Sequence, residues 1–215
     1  MRRRFHERLK DALPSDRRAA RFLHIGLASL VLAATGCELF KTRDPEPPEQ
    51  VSSTFIPPTI DSLVFTNMIE AFNDLNSDNY LECLADSTTS PEPFAFEPTP
   101  SARQQYASVF SAWTLQSERQ YFDRMKSSLQ AGTTMSLTFT SLQRQTIASD
   151  SATYEATYTL TVPHTFATIP KQAQGRAQFF LGIDRTGYWV IRRWVDLSIN
   201  QGDVTWSDLK GAFGQ

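Results

Sequence analysis

The sequence predicts an α+β domain, helices first and an antiparallel sheet after them, and three observations carry that prediction. Apolar residues recur near the 3.6-residue helical period from Ile60 to Gln130. From Thr133 the period changes to two and holds to Ile199. The change happens once and the later segments are joined by short turns, so helices are expected on one face of a sheet rather than alternating with strands.

Asp61 or Ser62 starts a helix with Leu63, Phe65, Met68, Ile69 and Phe72 as its apolar stripe, and Asn76-Ser77-Asp78 breaks it. A short second helix presents Tyr80, Leu81 and Leu84 and ends by Asp86. Pro91, Pro93, Pro98 and Pro100 bracket Phe94-Ala95-Phe96, which reads as a short strand. Ser101 to Gln130 reads as a helix with an irregular start, its core face Trp113, Phe122, Met125 and Leu129, and Gly132 ends it.

In the second half Met135, Leu137 and Phe139 alternate with small polar residues. Tyr154, Ala156, Tyr158, Leu160 and Val162 alternate with Thr and Glu, which is the pattern of a half-buried strand. Ala177, Phe179, Leu181 and Ile183 continue it to the turn Asp184-Arg185-Thr186-Gly187, and Tyr188 to Ile199 is the partner strand. On that strand Trp189, Ile191, Val195 and Leu197 share one parity with Arg193, while Tyr188, Val190, Trp194 and Asp196 share the other with Arg192. Both faces thus carry large apolar groups. A central strand is expected, its convex face covered by a second subunit or by Trp206-Ser207-Asp208-Leu209.

This order of elements, closing on Gly187 to Asp196, resembles the nuclear transport factor 2-like superfamily, which includes scytalone dehydratase, ketosteroid isomerase and the SnoaL-like polyketide cyclases. Trp113 to Glu118 and Thr205 to Lys210 are similar to stretches of bacterial lipoproteins with such domains. The resemblance spans residues 60–213. It implies a strongly curved sheet wrapped against the N-terminal helices into a cone, with a pocket between them. It also implies a carboxylate, a histidine or a His-Asp pair in the pocket of family enzymes, and a homodimer through the sheet.

Ahead of the domain, residues 1–22 hold eight Arg or Lys against three acids, and Leu23 to Gly36 are 14 uncharged, mostly apolar positions. A bilayer-spanning helix needs about 20 such residues. The shorter run has the length of a signal-peptide core. Ala34-Thr35-Gly36-Cys37 resembles the lipobox of bacterial lipoproteins, with Ala33 where Leu is commonest. That resemblance implies cleavage before Cys37, acylation of its thiol and an N-terminus at Cys37. The competing reading is a plain secretory signal cleaved near Ala33 or Ala34. A twin-arginine route through Arg2-Arg3-Arg4 or Arg17-Arg18 and an over-long start at Met1 are further alternatives. Glu38 rather than Asp after Cys37 does not oppose outer-membrane sorting, so the expected place is the bacterial cell envelope, on the periplasmic side of the outer membrane. Residues 37–59, with Pro45, Pro47, Pro48, Pro57 and Pro58, read as an extended tether reaching on the order of 50 Å. The domain is residues 60–215.

Without residues 1–36 the chain keeps 13 basic and 20 acidic side chains, a net charge of −7. No basic block remains, which argues against nucleic acid and against electrostatic binding to anionic lipid. Once Cys37 is acylated, Cys83 has no partner and reads as a small buried hydrophobe. Candidate catalytic groups are His164, Asp196, Glu118 and a few tyrosines. His164 follows Pro163 at a strand end and is expected at a solvated rim; Arg192 is expected to meet Asp196 or Trp194; Glu118 has a structural role open to it, tying its helix to the sheet. One His and one free Cys do not make a usual zinc set, and no nucleotide or phosphate fingerprint is present, so no metal or cofactor is expected. Two classes remain: a non-catalytic module binding a small apolar ligand or a protein partner, and an isomerase- or dehydratase-type envelope enzyme. An interior filled by its own aromatics would favour the first.

Overall fold

The computed structural model describes residues 54–215. The signal region 1–36, Cys37 and the tether as far as residue 53 lie outside the described residues. Helix α1 (Ser62–Asn73) buries Val64, Phe65, Asn67, Met68, Ala71 and Phe72, one helical stripe. Val64 and Ala71 are in that stripe where Leu63 was expected. Asp61 stands at the N-cap position without making a cap bond; its carboxylate pairs with Arg144 at 2.6 Å. Leu75 turns the chain with φ of 55°. The Asn76 side chain then accepts from the amides of Asp78 and Asn79, which starts α2 (Ser77–Glu82).

The long helix expected from Ser101 to Gln130 is three pieces: α3 (Pro100–Gln105), α4 (Ala107–Phe110) and α5 (Leu115–Ser127). A non-helical residue marks the first break and a cap the second. Thr99 caps α3 with Pro100 in its first turn, Tyr106 leaves helical geometry at φ −117° and ψ 42°, and Thr114 forms a capping box with Ser117 at the start of α5. The chain closes on α6 (Trp206–Phe213), also opened by a capping box, Thr205 with Asp208.

Among the described residues the strands form one curved, unclosed five-stranded sheet in the order β1-β5-β4-β3-β2. They are β1 (Ala95–Glu97), β2 (Ser136–Ile147), β3 (Ser151–Thr161), β4 (Gln172–Ile183) and β5 (Trp189–Leu197). The pairs are antiparallel except β1 with β5. The α+β reading therefore holds, with the helices on the inner face. Phe65 of α1 touches the rings of Phe139, Tyr154 and Phe179 on three strands. Phe72 meets Tyr80, Phe122 and Trp206.

Strand β5 is central, between β1 and β4, and at Trp189, Val190 and Ile191 both of its faces are buried, but beyond Ile191 the expectation of two apolar faces is corrected. Its register against β4 slips between the pairs Phe180–Arg193 and Leu181–Ile191, so Arg192 is the extra residue of a bulge. The bulge switches parity: Trp189, Ile191, Trp194 and Asp196 are all buried, while Arg193 and Leu197 are exposed. The segment from Trp206 likewise lies on the inner face, its indole 4.4 Å from that of Trp194 and 5.2 Å from the Tyr158 ring. The outer face is mostly Thr, Gln and Arg. Residues 54–59 lie on the domain: Asn67 holds the Ile56 backbone by two hydrogen bonds, and Trp189 N donates to Pro58 O. No helix among the described residues is long and apolar enough to cross a membrane.

Candidate functional site

Helix α5 carries Glu118 on the same side as Tyr121, Phe122 and Met125, and all four are buried. Glu118 is therefore pressed into the apolar interior, where an ionised carboxylate must be paired and hydrogen-bonded. Its Oε2 accepts from the Tyr80 hydroxyl at 2.8 Å. Its Oε1 accepts from the Trp113 indole at 2.6 Å and from Lys210 Nζ. Lys210 reaches it from α6, and both side chains are fully buried.

Aromatic rings surround this ammonium group. Nζ lies 4.0 Å from the centre of the Phe96 ring and 4.2 Å from that of Trp194, with Trp113, Tyr121 and Phe94 within 5.9 Å. Their faces favour a cation. Burial nevertheless pushes the Lys210 amine down to about 8, against the raising effect of Glu118.

A second acid closes the inner end of α6. Asp196 of β5 accepts from the Tyr158 hydroxyl at 2.7 Å through Oδ1, and from the Ser207 amide at 2.8 Å and hydroxyl at 2.5 Å through Oδ2. Trp206 N donates to the Tyr158 hydroxyl, and its indole N–H to the Tyr121 hydroxyl, each at 2.8 Å. Burial pushes the Asp196 carboxyl up while these bonds from Ser207 and Tyr158 pull it down. Burial also holds the hydroxyls of Tyr80, Tyr121 and Tyr158 well above the ordinary tyrosine value.

The structure thus brings Glu118 and Asp196 into one interior, joined through Tyr121, Trp206 and Tyr158. It gives Asp196 to Tyr158 and Ser207 rather than to Arg192. The cation over Trp194 is Lys210, at 4.2 Å, rather than Arg192, and the arginine of this strand that lies over a ring is Arg193, 3.8 Å from Phe180 on β4. His164 is not at a solvated rim, because the C-terminal helix covers it. It is fully buried, 5.3 Å from the Phe213 ring, with Nε2 at 3.1 Å from Pro170 O and Nδ1 unpartnered. A carbonyl only accepts, so Nε2 carries the proton. Tyr80 and Tyr158 are the tyrosines of the network, which Lys210 and Ser207 complete; these last two were not among the expected site residues. One signal did point to Lys210: it falls within the helical stripe Trp206, Leu209, Phe213, a charge placed among core positions.

The chain's own aromatic side chains pack around both acids. A groove of about 830 Å³ lies elsewhere, between α2, the start of α5 and the β4–β5 turn. Leu81, Leu84, Leu115, Tyr188 and Val190 give it apolar walls, and Glu82, Asp86 and Asp184 line it with charge. Donors of Thr88 hold the Asp86 carboxyl below the usual range; burial pushes the Asp184 carboxyl up, but donors from Thr186, Tyr188 and Thr89 together bring it below that range.

No family model matches the chain, and no curated protein matches it. Solved structures do. A candidate aromatic ring hydroxylase from Novosphingobium aromaticivorans is 12% identical, with a TM-score of 0.47, over 68% of this chain and 91% of that one. A candidate scytalone dehydratase from the same organism is 7% identical, with a TM-score of 0.47, over 67% and 88%. A ketosteroid isomerase-like protein from Erwinia carotovora is 14% identical, with a TM-score of 0.43, over 66% and 95%. At such identities nothing about activity carries over to this chain.

Proposed function

We propose that the chain is a bacterial cell-envelope lipoprotein, anchored through Cys37, whose domain is a non-catalytic binding module. The observation that carries this reading is the state of the interior acids. Each oxygen of Glu118 and Asp196 already accepts a hydrogen bond from the protein, and the space around them is occupied by Trp113, Trp194, Trp206 and Tyr121. A general acid or base has to reach a substrate proton within hydrogen-bond distance. Here it would have to surrender a bond and expel a side chain first. Binding then falls to the surface, where the groove beside Tyr188 offers apolar walls and a charged rim.

The isomerase or dehydratase reading has one observation on its side, a lysine pushed down to about 8 inside an apolar box. The two readings separate by native mass spectrometry of protein taken from its own envelope under non-denaturing conditions. The binding module is expected to carry no small molecule in its interior. A stoichiometric organic ligand lost on Glu118→Gln substitution would overturn it.

A further inference from the structure

Asp78, Glu82, Asp86 and Asp184 line the groove beside Tyr188, and the one cation lining it with them is Arg119. Arg119 is already paired, to Asp78 at 2.7 Å. The other three acids form no ion pair among the described residues. Arg185 is near without joining them: its backbone N donates to Thr89 O at 2.8 Å and its Nη1 to Thr88 O at 3.2 Å. Those two bonds lace the turn after α2 to the β4–β5 turn, so Asp86, Asp184 and Tyr188 share one wall.

The acids differ in what they have left to offer. Asp184 Oδ1 already accepts from the Thr186 amide and hydroxyl and from the Tyr188 amide. Asp86 accepts from Thr88 alone. The Glu82 side chain is exposed and makes no hydrogen bond or ion pair among the described residues. Negative charge without a counter-charge along a cleft draws cations to it. No three of the described His, Cys, Asp and Glu side chains are grouped to hold a metal ion, so a bare ion has no site here. The surface around the acids is apolar instead. Tyr188 is 40% exposed, and Phe55 and Leu115 are half-buried, over buried Leu81, Leu84 and Val190. A carboxylate beside an aromatic face suits an ammonium group.

We propose, on the reading that binding falls to this groove, that its ligand is a small organic ammonium with an apolar body. Glu82 and Asp86 share the charge, and the carbon rests on Tyr188 and Leu115. The volume of about 830 Å³ fits one such molecule.

The test is titration of the detergent-solubilised full chain with 4-phenylbutylamine, 4-phenylbutanol, 4-phenylbutyrate and ethylamine, following the tyrosine ring resonance that disappears in Tyr188→Leu. The phenyl amine is expected to move that resonance saturably and the butyrate not at all. The alcohol, lacking the charge, is expected to bind at least about fivefold more weakly, the scale of two partly exposed ion pairs. Ethylamine, lacking the apolar body, is expected to bind at least about tenfold more weakly. High salt should weaken the phenyl amine and leave the alcohol unchanged. Glu82→Gln with Asp86→Asn is expected to weaken the phenyl amine by about fivefold or more, and Glu155→Gln on the outer face by less than about twofold. The titrations of the unaltered chain decide even if a variant fails to fold. No saturable shift with the phenyl amine, an equal shift with the alcohol or the butyrate, indifference to salt, or unchanged affinity in the folded groove variant overturns the proposal. A shift with an arginine–phenylalanine–arginine peptide where the amine gives none also overturns it and passes the groove to a protein partner. Each of these leaves the surface reading in place. That reading falls instead if the phenyl amine is lost in a folded Glu118→Gln chain and kept in the groove variant.

Discussion

Lys210 and Glu118 show how a single residue's cost is set by its partner. Taking both charges out of water roughly cancels their attraction, but removing one leaves the other buried alone, a loss of about 3–5 kcal/mol. Lys210→Met alone is expected to lose that much in chemical denaturation, and Lys210→Met with Glu118→Gln to recover most of it. Additive losses would show that the two are not coupled. The same pair shapes the pH dependence. With the folded amine at about 8 and the ordinary value at 10.5, the unfolded chain keeps a proton that the folded one releases between those limits. Lys210 therefore makes stability rise with pH from about 8, and above the ordinary thiol value of 9.0 buried Cys83, which keeps a proton that the unfolded chain loses, offsets that rise. Above the ordinary tyrosine value of 10.0 the unfolded chain loses protons that buried Tyr80, Tyr121 and Tyr158 retain, and stability falls. Melting temperatures across this range are expected to rise and then drop, with the rise absent in Lys210→Met. Cys83 is simpler: fully buried, its thiol pushed up by burial, it is expected to react with thiol reagents only after unfolding. Rapid labelling of the native chain would contradict that placement.

Among the elements, α6 governs the interior, since it supplies Trp206, Ser207, Leu209 and Lys210. Trp206 meets Phe72, Tyr158 and Trp194 and donates twice, to Tyr121 and Tyr158. Trp206→Ala is expected to cost about 3–5 kcal/mol in denaturant melts, with lost packing and unpaired hydroxyls both contributing. A loss under about 1 kcal/mol, the range of surface substitutions, would mean that α6 is only loosely docked. What sequence reading could reach follows the same line. The periods of helix and strand, the break at Asn76 and the turn at Asp184 are local, so the order of elements was legible, whereas Asp196 was expected beside Arg192 and its bonds to Tyr158 and Ser207 were not. The bulge at Arg192 was not legible, because it arises from register against β4 and reverses the parity of every later residue in β5. Nor were the breaks at Tyr106, which leaves helical geometry without a side-chain cap, and after Ser111, where the Thr114 hydroxyl caps the next helix. His164 was read as rim because nothing near it in sequence announces Phe213, which covers it from the far end of the chain.

At the scale of the whole molecule, the proposed attachment must come from lipid, because the protein's charge works against it. The chain from Cys37 on has a net charge of −7. Anionic lipid attracts basic segments by about 1 kcal/mol per Lys or Arg, and acids gain nothing of the kind. Each buried methylene of an acyl chain contributes about 0.8 kcal/mol, so two chains on Cys37 hold stably where one would exchange. Membrane association is therefore expected to be indifferent to salt, to survive a high-salt wash and to yield only to detergent. Intact mass of the extracted protein should lack residues 1–36 and include acyl chains, and Cys37→Ala should leave the membrane fraction. A mature form beginning at Glu38 or later, release by salt alone, or a Cys37→Ala chain that stays bound would defeat the anchor.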